Sequence, residues 1–205
     1  MMSAEDEAEM KDAVRWFRDM EVVLLNGEDE DMPQKVIKLD KLQRYMLLKL
    51  IWRSSLYGYG EKKRMLDRER LIDLCDVDAI EQLGVESSLT HTESKAKLFD
   101  QYTQAYTTFN PKKLEASSKH FYNYGDRAQC ELFADKFMDQ VESVFALHHR
   151  DYALQFFIHL SPTFLKRPKD LDRFREIFGR VKESNNTSFR VALDNEIELF
   201  ESVLE

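Results

Sequence analysis

The stretch YGDRAQCELFADKFMDQVESVF, residues 124–145, decides the fold. Asp126 followed by Gln129 three positions later reads as a helix N-cap pair, the acid accepting from orphan amides of the first turn. Behind it Phe133, Phe137, Val141, Val144 and Phe145 recur at spacings of three and four, which places them on one face of a helix. Gly125 sits where the preceding helix must end. The stretch is therefore a helix–turn–helix junction whose second arm has an apolar face that must be covered by other helices.

The same signals recur on both sides. A first helix is expected from about Glu5 to Leu25, stopped by Asn26-Gly27 and Pro33. Leu39, Leu42, Tyr45, Met46, Leu50 and Trp52 predict a second, ended by the YGYG at 57–60. A third is expected from about Asp67 to Leu83, closing at Gly84. Thr90 with Glu93 forms a capping box for a fourth reaching about Thr107. Asn110-Pro111 starts a fifth, running to about Tyr122, because Asn caps and Pro needs no donor at the first helical position. Helices follow from Asp151 to Leu160, after the SPTFLKRP turn through Leu171, Phe174, Ile177, Phe178 and Val181, and along Phe189, Leu193, Ile197, Phe200 and Leu204. Helix pairs opening near residues 92, 127 and 169 are about 35 and 42 apart, the size of α-solenoid units. The expected architecture is all-α, an irregular HEAT- or armadillo-like solenoid of antiparallel helix pairs. One helical-repeat domain spans 1–205, with 1–31 an acidic N-terminal helix and linker and 35–205 the stack; a compact bundle is the competing arrangement.

Composition supports the helical reading and narrows the function. In 205 residues there are six glycines and four prolines, too few for the turns of an all-β protein. Cys75 and Cys130 lie in helical patterns, which fits buried thiols in a reducing compartment. Of the formal charge of −8, residues 1–31 hold all of it, with 11 acidic and 3 basic side chains, while the rest carries 27 of each. A neutral body lacks the basic face that nonspecific nucleic-acid binding requires. The opening MMSAEDEAEM has neither the basic nor the apolar region of a secretory signal, and no apolar run exceeds four residues. The expected protein is soluble and cytoplasmic, with no nucleic-acid or membrane partner.

No reaction centre emerges. A helical zinc site needs two histidines four apart with a glutamate between them, whereas His148 and His149 are adjacent and so about 100° apart around a helix. Asp76 and Asp78 open like a calcium loop but the required glycine is missing. Phosphate-binding glycine loops, nucleophile elbows and Cys-x-x-Cys pairs do not occur. Asn185-Asn186-Thr187 matches a glycosylation acceptor and equally a cap for the last helix. The candidate binding residues are His148, His149, Arg150, Lys166, Arg167 and Lys169, which can line one edge of the stack and attract a carboxylate, or form a solvated rim paired with acids. Tyr122 and Tyr124 offer a recognition surface, or core packing with exposed rings.

From about Arg44 onward the order of segments resembles the C-terminal helical domain of the aminopeptidase-N family of zinc metallopeptidases. The resemblance rests on LQRYMLLKLIWRSSLYGYGEKK (42–63), TESKAKLFDQYTQ (92–104), the long stretch from Ser117 to Leu165, and SFRVALDNEIELFESVLE (188–205). Where family members often place Pro-Gly-Gln, this chain has Tyr124 to Gln129. The family's zinc-binding His-Glu-x-x-His and its Gly-Ala-Met-Glu-Asn belong to a catalytic domain and are absent here. What the resemblance implies is a non-catalytic domain that covers the active-site chamber and helps admit and orient peptides. Its partners would be the parent catalytic domain and peptide substrates, and the parent's zinc would be no cofactor of this chain. The alternative from the residues themselves is a stand-alone helical-repeat adaptor binding another protein.

Overall fold

The computed structural model describes residues 4–24, 35–72, 76–181 and 186–204. Among them are ten α-helices and one two-stranded antiparallel hairpin, so the chain is all-α in class. The described residues divide into two compact units, 1–90 and 91–205, each with its own apolar core.

The first unit holds α1 (Ala4–Asp19), β1 (Glu21–Leu24), β2 (Lys35–Lys38), α2 (Lys41–Arg53), α3 (Tyr59–Ile72) and α4 (Asp76–Ser87). The first helix is shorter than its sequence promised. Met20 takes a left-handed φ of 59°, which breaks the helical ladder, and the β-branched run after it pairs in register with residues 35–38. The Asn26-Gly27 breaker lies outside the described residues. Helix α2 is the hub, packed against α1, α3 and α4. It begins with a capping box between Asp40 and Gln43 that the sequence reading missed. The YGYG segment opens α3 instead of merely ending α2: the Gly58 carbonyl accepts from the amides of Glu61 and Lys62. Lys62 then turns inward, its ammonium donating to the carbonyls of Trp52 and Ser54 at the end of α2, where orphan acceptors need a cation. Of the span expected as one helix from Asp67 to Leu83, the described residues belong to α3 and α4, residues 73–75 lie outside them, and Gly84 lies inside α4.

The second unit holds α5 (Thr92–Thr103), α6 (Pro111–Ser118), α7 (Arg127–Leu147), α8 (Arg150–Leu160), α9 (Pro168–Val181) and α10 (Thr187–Leu204), with a short 3-10 turn at Thr163–Leu165. Asn110 and Asp126 cap α6 and α7 as read from the sequence, accepting from the amides of Lys113 and Gln129. Helix α5 is capped by His91 in place of Thr90. Helix α6 stops short of Tyr122 because tight turns from Ser117 and Ser118 to His120 and Phe121 swing Phe121 and Tyr122 into the core. Alternate helices touch: α5 with α7 and α7 with α9 on one side, α6 with α8 and α8 with α10 on the other, with α7–α8 and α9–α10 pairing across. Helices start at Thr92, Arg127 and Pro168, close to the positions read from the sequence, but of the expected pairs it is α7–α8 and α9–α10 that pack closely, and α5–α6 does not. The core between is aromatic. Phe137 stacks on Phe156 at 5.5 Å and 12°, with Phe157 and Phe174 at its other edges, and Phe145 stacks on Phe189 at 4.1 Å.

Candidate functional site

The eight residues singled out in the sequence do not converge on one place. Arg167 ends the turn before α9 and is almost completely buried. Its Nε and Nη2 grip both oxygens of Asp170 at 2.6 and 2.7 Å, and Nη2 also reaches Asp135 on α7 at 3.0 Å. Lys169 joins the same Asp135 at 3.2 Å from solvent. Burial alone would raise the Asp135 carboxyl, but the bonds and charges of Lys169 and Arg167 outweigh it and hold it below its usual value. Lys166 is exposed, with a left-handed φ of 52° that closes the 3-10 turn. The basic cluster thus splits into an internal clamp and a solvated flank.

The tyrosines divide in the same way. Tyr122 is buried, and desolvation pushes its phenol well above the usual value, so it stays protonated and donates to the Leu160 carbonyl at 2.9 Å. Tyr124 is exposed and meets Phe164 edge-on, with centroids 4.9 Å apart. Gly125 and Asp126 form the corner between α6 and α7, and the Asp126 carboxylate is spent on the cap.

His148 and His149 share no ligand geometry. His149 caps α8, its Nδ1 accepting from the Asp151 amide. His148 stacks on Tyr152 at 4.5 Å, and its Nε2 is buried without a partner. Among the described residues no group of three or more His, Cys, Asp or Glu side chains is placed to hold a metal ion, so these residues offer no seat for zinc. Cys130 is buried and its Sγ donates to the Asn123 carbonyl; burial pushes the thiol up, away from the thiolate that reactivity requires.

Desolvation lowers the His148 imidazole more than the Thr103 backbone raises it, and His159 is lowered by burial and by Lys119. A base whose folded value lies below the unfolded value of about 6.5 takes up its proton more readily when unfolded. Its contribution is complete above that pH and is lost as pH falls through the window beneath. His148→Phe keeps the stack on Tyr152 and removes the ionisation. Its urea midpoint is therefore expected to fall less than the wild type's between about pH 7.5 and about pH 5.5. Equal falls would show that His148 is not a source of the acid sensitivity.

Arg150 is the predicted residue that lines a cavity. A cleft of about 520 Å³ lies between α8 and α10, walled by Leu154, Phe157, Ile158, Val191 and Ala192. Arg150 stands over it from the first turn of α8 and makes no ion pair among the described residues. Glu196, on the far wall, is engaged by the hydroxyls of Ser161 and Thr163. The sequence reading had the cation but not its apolar walls, which come from helices more than thirty residues apart. The arrangement can hold an extended or helical segment by apolar contact and pair one of its carboxylates with the guanidinium.

Among the described residues no helix is long and apolar enough to cross a membrane. No protein-family model matches the chain, and no curated protein matches it.

Proposed function

We propose that this chain is the non-catalytic C-terminal helical domain of a zinc metalloaminopeptidase, acting as the wall of a chamber that admits and orients peptides. The observation that supports this reading is the alternating contact within α5 to α10, α5 with α7 and α7 with α9, α6 with α8 and α8 with α10. That regularity fits a HEAT-like stack, whose use is to present a broad surface. The Arg150 cleft supplies a cation and apolar walls of the kind a peptide carboxylate and side chain require. Zinc and the activated water would belong to the catalytic portion of the parent enzyme.

The test is reconstitution. The purified chain alone is expected to leave aminoacyl reporters intact, and to restore or raise hydrolysis when combined with a catalytic fragment of such an enzyme. In the reconstituted enzyme Arg150→Glu is expected to raise KM for a peptide by ~10-fold with kcat nearly unchanged, the mark of lost ground-state binding. No complex and no activity with any such fragment would remove the reading. The adaptor reading would then stand in its place, favoured by the exposed apolar residues Leu42, Met46 and Leu50 of α2.

A further inference from the structure

Helix α2 carries two apolar faces. Tyr45, Leu48, Ile51 and Trp52 are buried in the core of the first unit, while Leu42, Met46 and Leu50 are 53%, 64% and 47% exposed. The exposed three are spaced by four and so form a stripe along one side of the helix. Beside it α1 and α2 enclose a cleft of about 480 Å³, floored by Met10, Ala13, Trp16, Leu47 and Leu50. The Trp16 ring lines the cleft and is its one aromatic wall among the described residues, while its indole Nε1 is buried without a hydrogen-bond partner. Methionine and tryptophan surfaces of this kind adapt to helices laid across them.

The rim fixes the sign of what fits. Glu9 and Asp12 line the cleft. Glu9 has no partner among the described residues, and Asp12 only a half-exposed pair with Arg15, which holds it weakly. At about 100° per residue, Glu9, Asp12 and Trp16 share one flank of α1, while Lys11, Arg15 and Arg18 fall on the other. A second copy of the chain would bring the same acids against themselves, and nucleic acid or an anionic membrane would be repelled.

We propose that the α1–α2 cleft, with the Leu42–Met46–Leu50 stripe, docks an amphipathic helix of a partner protein whose apolar face is flanked by lysine and arginine. The proposal does not rest on the aminopeptidase reading, whose supporting contacts and cleft lie in the second unit, and it deepens the adaptor reading by naming the partner's chemistry. The partner helix lays its apolar residues over Met46, Leu50 and the Trp16 ring, and pairs a basic residue with Glu9.

The full chain is titrated with a Leu/Lys peptide of about 18 residues, its leucines at i, i+3, i+4 and i+7 spacing. Two controls are a peptide of the same composition with the pattern scrambled, and the same pattern with Glu for Lys. Binding is read by tryptophan emission. Trp52 is buried and bonded to the Lys62 carbonyl, so a change on binding should come from Trp16 and vanish in Trp16→Phe. The patterned basic peptide is expected to bind at least ~10-fold tighter than either control, and the paired changes Leu42→Gln and Met46→Gln to weaken it by at least ~10-fold. Those side chains are about half or more exposed, so an unchanged circular-dichroism spectrum and urea midpoint will show that the fold is intact. Glu9→Lys is expected to weaken binding and flatten its salt dependence. Equal binding of the scrambled peptide, equal binding of the acidic peptide, or self-association that excludes the peptide would each overturn the proposal.

Discussion

Replacing Asp170 with alanine is expected to cost ~3–5 kcal/mol of stability, because it strips the buried Arg167 guanidinium of its bidentate partner and leaves only the half-exposed Asp135 carboxylate to meet its charge. Asp170 is 0% exposed and Arg167 7%, so water cannot take over the missing bonds. The pair is bidentate and also fixes the entry to α9, since the Asp170 amide donates to the Arg167 carbonyl at 2.9 Å. The carboxylate further sits in the first turn of α9, where the helix dipole favours an anion. Two controls separate these contributions. Asp135→Ala removes a half-exposed partner of the same guanidinium and is expected to cost only about 1 kcal/mol or less. The double change Arg167→Met with Asp170→Leu removes both charges together and is expected to regain most of the loss, as replacing a buried pair by apolar groups of similar size usually does. Urea unfolding followed by circular dichroism decides it. An Asp170→Ala loss no larger than that of Asp135→Ala would show that water reaches the guanidinium after all.

The clamp also shows where reading along the chain stops. Arg167 stands within two residues of Lys166 and Lys169 in the sequence, between Pro162 and Pro168 as Lys166 is. Which of the three turns inward depends on Asp135, 32 residues earlier on α7, and no periodic signal links the two. Some caps were legible because they act over three residues: Asn110 and Asp126 perform the roles their spacing predicts, whereas Thr90 yields its expected role to His91 and the Asp40–Gln43 box went unread. The Asn186 side-chain Oδ1 likewise accepts from the Phe189 amide, as expected of a cap on α10. Helix starts in the second unit were legible for the same reason. The first unit was harder. The Val22-Val23 run suits a helix face and a strand equally, and the choice was made by Met20 and by a strand more than ten residues on. The YGYG segment misled because a glycine pair can precede a helix as readily as follow one. Of the candidate sites, the cation Arg150 was visible but its cleft was not, because clefts are made by helices distant in sequence.

The second large effect is expected at Phe137. Phe137→Ala should cost ~3–5 kcal/mol, the range for removing a fully buried aromatic ring from a core that cannot collapse around the void. The ring lies on the inward face of α7 and meets Phe156 and Phe157 of α8 and Phe174 of α9. Three helices would therefore have to move together to fill the space, and each is held by further contacts: α7 to the turn before α9 by the Arg167–Asp135 bond, and the end of α8 to the α6–α7 connection by the Tyr122–Leu160 bond. A cavity held open from several sides stays open, so the loss should lie in the upper part of that range. Phe137→Leu keeps most of the volume and is expected to lose roughly 1–1.5 kcal/mol. Leu132→Ala, on the solvated side of the same helix, should stay within about 0.5 kcal/mol. Both tryptophans precede residue 91, so far-ultraviolet circular dichroism is the readout for this helix-rich unit. Near-equal losses for Phe137→Ala and Leu132→Ala would mean that the aromatic layer between α7, α8 and α9 does not exist as described. The alternating contacts on which the chamber-wall reading depends would then fall with it.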